Sequence, residues 1–157
     1  RPVVGWDVAT GSVMRNFCDI DSLNEFAAKS GWDCSYQQMC PGRLAARSTL
    51  VQVGRSVLLR EQVSHSVEFR GAPSSSHVAF LFVSQQQGAR IAGTDPGTAD
   101  LWFIPPGYDL SMISGDAVDI CTISIPYSAL KGCPFVQLGT PEQDRNALNS
   151  IPPFLNQ

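Results

Sequence analysis

The chain has 157 residues and a net charge of −3, with 16% charged side chains against 43% apolar ones. That suffices for one domain with a sizeable core but not comfortably two, and the composition argues against disorder. No Lys or Arg run stands out as a footprint for nucleic acid, and no apolar run approaches the roughly 20 residues that span a bilayer.

The opening stretch, RPVVGWDVATGSV, lacks the apolar centre of a secretory signal, so a cytoplasmic setting is expected. It starts with Arg rather than Met, which reads as a trimmed chain. Residues 1–12, interrupted by Gly5, Thr10, Gly11 and Ser12, are expected to form an arm, and residues 13–18 a first strand. A short helix follows. Ser22-Leu23-Asn24-Glu25 fits the S-x-x-E capping box, while Asp19 and Asp21 suit a helix N-terminus. Ile20, Leu23, Phe26 and Ala27 recur at helical spacing, and Gly31 is placed to end the helix.

The period then changes to two. Trp32, Cys34, Tyr36, Gln38 and Cys40 fall on one side of a predicted strand that stops at the turn Pro41-Gly42. Residues 44–53 and 55–63 read as two strands around Gly54. Val63, His65, Val67 and Phe69 alternate with Ser64, Ser66, Glu68 and Arg70, the pattern of a half-buried strand. The GAPSSS stretch, 71–76, reads as a loop, and residues 77–84 are apolar on both faces, as in a central strand. Short strands follow between turns at Gly88, Gly93, Asp95-Pro96-Gly97 and Pro105-Pro106-Gly107. Residues 117–125 form another apolar strand and 126–130 a helical turn. Thr140-Pro141-Glu142-Gln143 opens a second capped helix, 140–149, which Pro152-Pro153 ends. Many short strands with regular turn signals indicate a mostly β sandwich or barrel. Helices before and after the strands, rather than between them, exclude a doubly wound α/β fold.

Nothing here spells catalysis. G-x-S-x-G, P-loop and G-x-G-x-x-G signatures are missing, so no enzyme activity and no cofactor is expected. Two histidines are too few for a cupin-type metal site. If residues 64–70 and 77–84 form a hairpin, Arg70 faces His77, His65 faces Phe82, and the two rings lie about 17 Å apart. Asp95, Asp100, Asp109, Asp116 and Asp119 lie in or beside predicted turns, where Asp ordinarily caps backbone. The five cysteines include no C-x-x-C pair. Cys34 and Cys40 on one strand would be about 20 Å apart, too far to bridge, so buried thiols are expected. What remains is a cavity. Polar side chains on otherwise apolar inward faces would orient a ligand, and Tyr36, Gln38, Arg47, Arg60, His65 and Trp102 are the candidates. An inward Arg favours a carboxylate or phosphate. The alternative is that Arg47 and Arg60 face water with their stems on the wall.

Phe17, Asp19 and Asp21 ahead of a short helix, Trp32 in an aromatic turn, and a strand ending at Pro41-Gly42 resemble the start of the N-terminal domain of AraC-type transcription regulators. The order continues with Gly71 and Pro73, Arg90 and Gly93, the turn at 105–107, and the strand VDICTISIPYSAL. The similarity covers residues 17 to about 130, and the order of the motifs carries it. It implies a cupin-like β-barrel or jelly roll over residues 13–135 that binds a small effector, mediates dimerisation, or both. It also implies two helix-turn-helix units beyond this sequence, through which alone the homodimeric protein would contact DNA. Residues 140–157 would then begin the dimer helices or the linker. The fold leaves two alternatives, a stand-alone small-molecule-binding cupin and an atypical cupin enzyme.

Overall fold

Local chemistry builds the N-terminal helix one turn earlier than its capping box suggests. In the computed structural model, which describes residues 11–83, 88–93 and 101–130, strand β1 (Gly11–Phe17) leads into helix α1 (Ile20–Ala27). The N-cap is Asp19, not Ser22: its backbone is extended, and its carboxylate accepts from the Ser22 N–H at 2.7 Å and the Ser22 hydroxyl at 3.0 Å. This start brings Ile20 onto the apolar face, beside buried Leu23, Phe26 and Ala27. A 3₁₀ turn (Ala28–Ser30) follows, and Gly31, at φ 86°, takes the left-handed conformation that ends it. Gly11 and Ser12 are strand, paired with Gln52 and Val51, because ladder bonds override a weak local pattern. Of the expected arm, residues 1–10 lie outside the described residues, as does the expected helix at 140–149.

Among the described residues nine further strands follow: β2 (Trp32–Gln38), β3 (Ala46–Val53), β4 (Ser56–Val63), β5 (Val67–Pro73), β6 (His77–Val83), β7 (Arg90–Ile91), β8 (Leu101–Ile104), β9 (Leu110–Ile113) and β10 (Val118–Pro126). A short helix α2 (Tyr127–Leu130) follows β10, as the sequence predicts. They form two antiparallel sheets, a six-stranded one in the order β1-β3-β4-β10-β6-β8 and a four-stranded one in the order β2-β5-β9-β7. Among the described residues no ladder joins the sheets, so the expected barrel is not closed. One reason is visible at the β2 edge. Asn24 of α1 accepts from the Tyr36 N–H at 2.6 Å and donates to the Tyr36 carbonyl at 3.0 Å, occupying the groups another strand would use. Asn24→Ala leaves that part-buried backbone pair open and is expected to cost about 1–3 kcal/mol in urea unfolding. A loss below a few tenths would show the clasp to be idle.

The alternation across residues 63–69 belongs to two strands, not one. The chain turns a corner at residues 64–66, and β4 and β5 lie in different sheets. The apolar period survives because both strands face the same core. β5 and β6 also lie in different sheets, so the hairpin that placed Arg70 opposite His77 does not form. Gly71 and Pro73, read as loop, are the end of β5. β6 and β10 are interior strands of the larger sheet, as their apolar character predicts. Trp32, Tyr36, Phe69, Leu81, Met112 and Ile120 help fill the space between the sheets.

Candidate functional site

The strand period carries one acid into that core. In β4, Val57, Leu59, Glu61 and Val63 point inward, and Glu61 is only 1% exposed. Across the sandwich Tyr36 donates a hydrogen bond to its Oε2, and Ser48 on neighbouring β3 donates to Oε1 at 3.4 Å. A second polar link joins the sheets through β2, where Trp32 Nε1 donates to Ser124 Oγ at 2.9 Å. Burial pushes the Glu61 carboxyl up to about 7, against the restraining effect of the Tyr36 and Ser48 hydrogen bonds. Burial first, and the Glu61 charge second, hold the Tyr36 phenol well above its ordinary range. The same two causes, followed by Asp33, push the Cys34 thiol up to about 12. Such a thiol is no nucleophile at neutral pH. The expectation of a core role for Cys34 fits this setting. Cys40 is different: β2 ends at Gln38, so Cys40 sits half-buried in the following loop. Cys18, Cys34, Cys40 and Cys121 are free thiols, and Cys133 lies outside the described residues.

Beside this cluster a cleft lined by Trp32, Cys34, Tyr36, Phe69, Met112 and Thr122 leaves about 10 Å³ for the centre of a water molecule. That is room for about one water, so this cleft holds no ligand-sized space as it stands.

The six predicted ligand residues do not converge. Tyr36 alone is fully inside. Trp102, on β8, packs against the core, and its buried Nε1 has no hydrogen-bond partner among the described residues. Gln38 and His65 build the Pro41-Gly42 turn. Gln38 Nε2 donates to the carbonyls of Cys40 at 2.6 Å and Gly42 at 2.9 Å. The His65 ring lies against Gly42, where a Cβ would overlap it, and its Nδ1 shares a hydrogen bond with Ser64 Oγ. Arg47 and Arg60 lie on the outer face. Arg60 forms a two-pronged ion pair with Asp119 at 2.8 and 3.0 Å, and Arg47 Nε donates to Asn16 at 3.2 Å. Asp119, expected in or beside a turn at the start of the predicted strand 117–125, is the second residue of β10. The sequence reading missed Glu61, although a carboxylate in register with Val57, Leu59 and Val63 was a usable signal. Ser48, between Ala46 and Leu50 on the inward side of β3, is its counterpart.

Among the described residues no group of three or more His, Cys, Asp or Glu is placed to hold a metal, and no helix is long and apolar enough to cross a membrane. Comparison with family models, with curated proteins and with solved structures finds no match to the chain.

Proposed function

We propose that this chain is the N-terminal sensor or dimerisation domain of a bacterial AraC-type transcription regulator, cytoplasmic and without catalytic activity. The observation that carries the reading is the nesting of the ladders. β4 pairs with β10, β5 with β9 and β6 with β8. Successive pairs fall alternately in the larger, the smaller and the larger sheet. A single antiparallel ribbon folded over on itself produces that pattern, and it is the pairing expected of a jelly roll of the cupin kind. The order of motifs from Phe17 to VDICTISIPYSAL supports the same reading, with Asp19 as a helix cap and Pro41-Gly42 in the loop that leaves β2.

In this reading a small effector enters between the sheets along β2. The Tyr36–Glu61 and Trp32–Ser124 hydrogen bonds cross that gap, so entry requires them to open. The effector would favour the opened arrangement by its differential affinity for it, and the change would pass to a dimeric partner and a separate DNA-binding half. The test is to read the parent gene beyond the codon for Gln157. Two helix-turn-helix units in frame are expected. A stop codon within a few positions overturns the regulator reading.

A further inference from the structure

The outer surface offers more room than the cleft beside Tyr36 and Glu61. On the outer face of the larger sheet, Asn16, Arg47, Gln62 and Asp119 stand directly opposite one another across β1, β3, β4 and β10. The neighbouring positions toward the strand ends, Ala45, Ser64 and Ala117, are small. The result is an open groove of about 550 Å³ with this polar row along it and Phe17 and Val118 among its apolar lining. That volume lies in the range of about 300–1,000 Å³ typical of small-molecule sites.

The hydrogen bonds within the row decide what it would accept. Arg60 and Asp119 neutralise each other, and Gln62 Nε2 also donates to Asp119 at 3.3 Å. Arg47 spends only Nε, on the Asn16 side-chain oxygen. That bond orients the guanidinium and leaves both Nη groups without a partner among the described residues. Asn16 Nδ2 is likewise an unused donor there. The row therefore offers one unpaired positive charge and a cluster of unused donors. We propose that this groove binds a small monocarboxylic acid, its carboxylate held two-pronged by Arg47 with support from Asn16, and its apolar body lying over Ala45 and Ala117, which line the groove on the same outward side as Arg47 and Asp119. One carboxylate balances the single unpaired charge of Arg47, whereas the second charge of a dianion would find no further unpaired cation in the row, Arg60 being held by Asp119. The site needs neither the regulator reading nor an opening of the core.

The test uses the 157-residue chain, labelled with ¹⁵N, titrated with sodium benzoate and separately with benzamide, its uncharged isostere. Benzoate is expected to give saturable shifts at the backbone amides of Asn16, Arg47, Gln62 and Asp119, with benzamide weaker by about ten-fold or more. Arg47→Ala should weaken benzoate by a similar factor, and Arg47→Lys by less, since Lys keeps the charge but not the fork. Should Arg47→Ala fail to give a folded spectrum, the comparison of benzoate with benzamide on the unaltered chain decides. Shifts that are absent or scattered, equal binding of the two probes, or unaltered binding by a folded Arg47→Ala chain would each overturn the site.

Discussion

Glu61→Gln makes the chain more stable at pH 8 and changes little at pH 5. The carboxyl of Glu61 sits near 7 in the folded chain against an ordinary 4.5. Between those values the folded state holds a proton that the unfolded state has released. Its contribution to stability is fully present below 4.5 and is lost as pH rises through 7. At about 1.4 kcal/mol per unit, the gap corresponds to roughly 3 kcal/mol between the two ends of the window. Gln cannot ionise, yet its carbonyl still accepts from Tyr36, so the variant should escape the loss. Asp19 works in the opposite sense, because the Ser22 hydrogen bonds hold it below 3.8; its contribution fades only under more acid conditions, outside this window. Urea unfolding of both proteins from pH 5 to pH 8 is the check. The wild-type chain should lose stability across the series while the variant stays nearly flat. Parallel curves would mean that Glu61 is not held as the buried acid described above.

Gly71→Ala should cost roughly 3 kcal/mol or more, at or beyond the upper end of overpacking penalties. Gly71 is in β5 opposite Cys34 of β2. A Cβ there would lie 2.5 Å from Cys34 Cβ and 2.9 Å from both Cys34 Cα and the Asp33 carbonyl oxygen. Two of those atoms are backbone, so no rotamer change relieves the contact, and the ladder itself must part. The strand concerned carries Trp32 and Tyr36, whose side chains hydrogen-bond across to the other sheet. The damage therefore reaches beyond one pair. Thermal or urea unfolding measures it, with Cys34→Gly in the Gly71→Ala background as a partial rescue, because it removes the nearest of the three contacts. A change within about 0.5 kcal/mol, the range of an ordinary surface substitution, would show that β2 and β5 are not packed this closely.

Both results turn on residues that sequence reading treated differently. Gly71 looked like a loop glycine because it precedes Ala-Pro and a run of serines. Only the close approach of β2 shows why a side chain has no room there. Glu61 sits between Arg60 and Gln62, and a three-residue polar run conceals that its parity is that of Leu59 and Val63. Conversely, Arg47 and Arg60 suggest an anion site because a cationic group on an inward face of a β-rich chain favours a carboxylate or phosphate, yet parity on β3 and β4 turns both outward. Arg47 regains a role only because Asn16 and a floor of alanines meet it on the outer face.

Features that depend on neighbours along the chain are legible in the sequence. It placed the buried face of α1, the stop at Gly31, the central character of β6 and β10, the mostly β class and the core character of Cys34. Each follows from periodicity, a positive φ or an unbroken apolar run, all of which act over a few residues. Tertiary structure decided which strands pair, where the chain crosses from one sheet to the other, and which polar groups meet across the gap. A strand whose two neighbours come from distant parts of the chain carries no local mark of who they are. The corner at 64–66 kept its alternation because both flanking strands face one core, so period alone could not reveal that the chain had changed sheets.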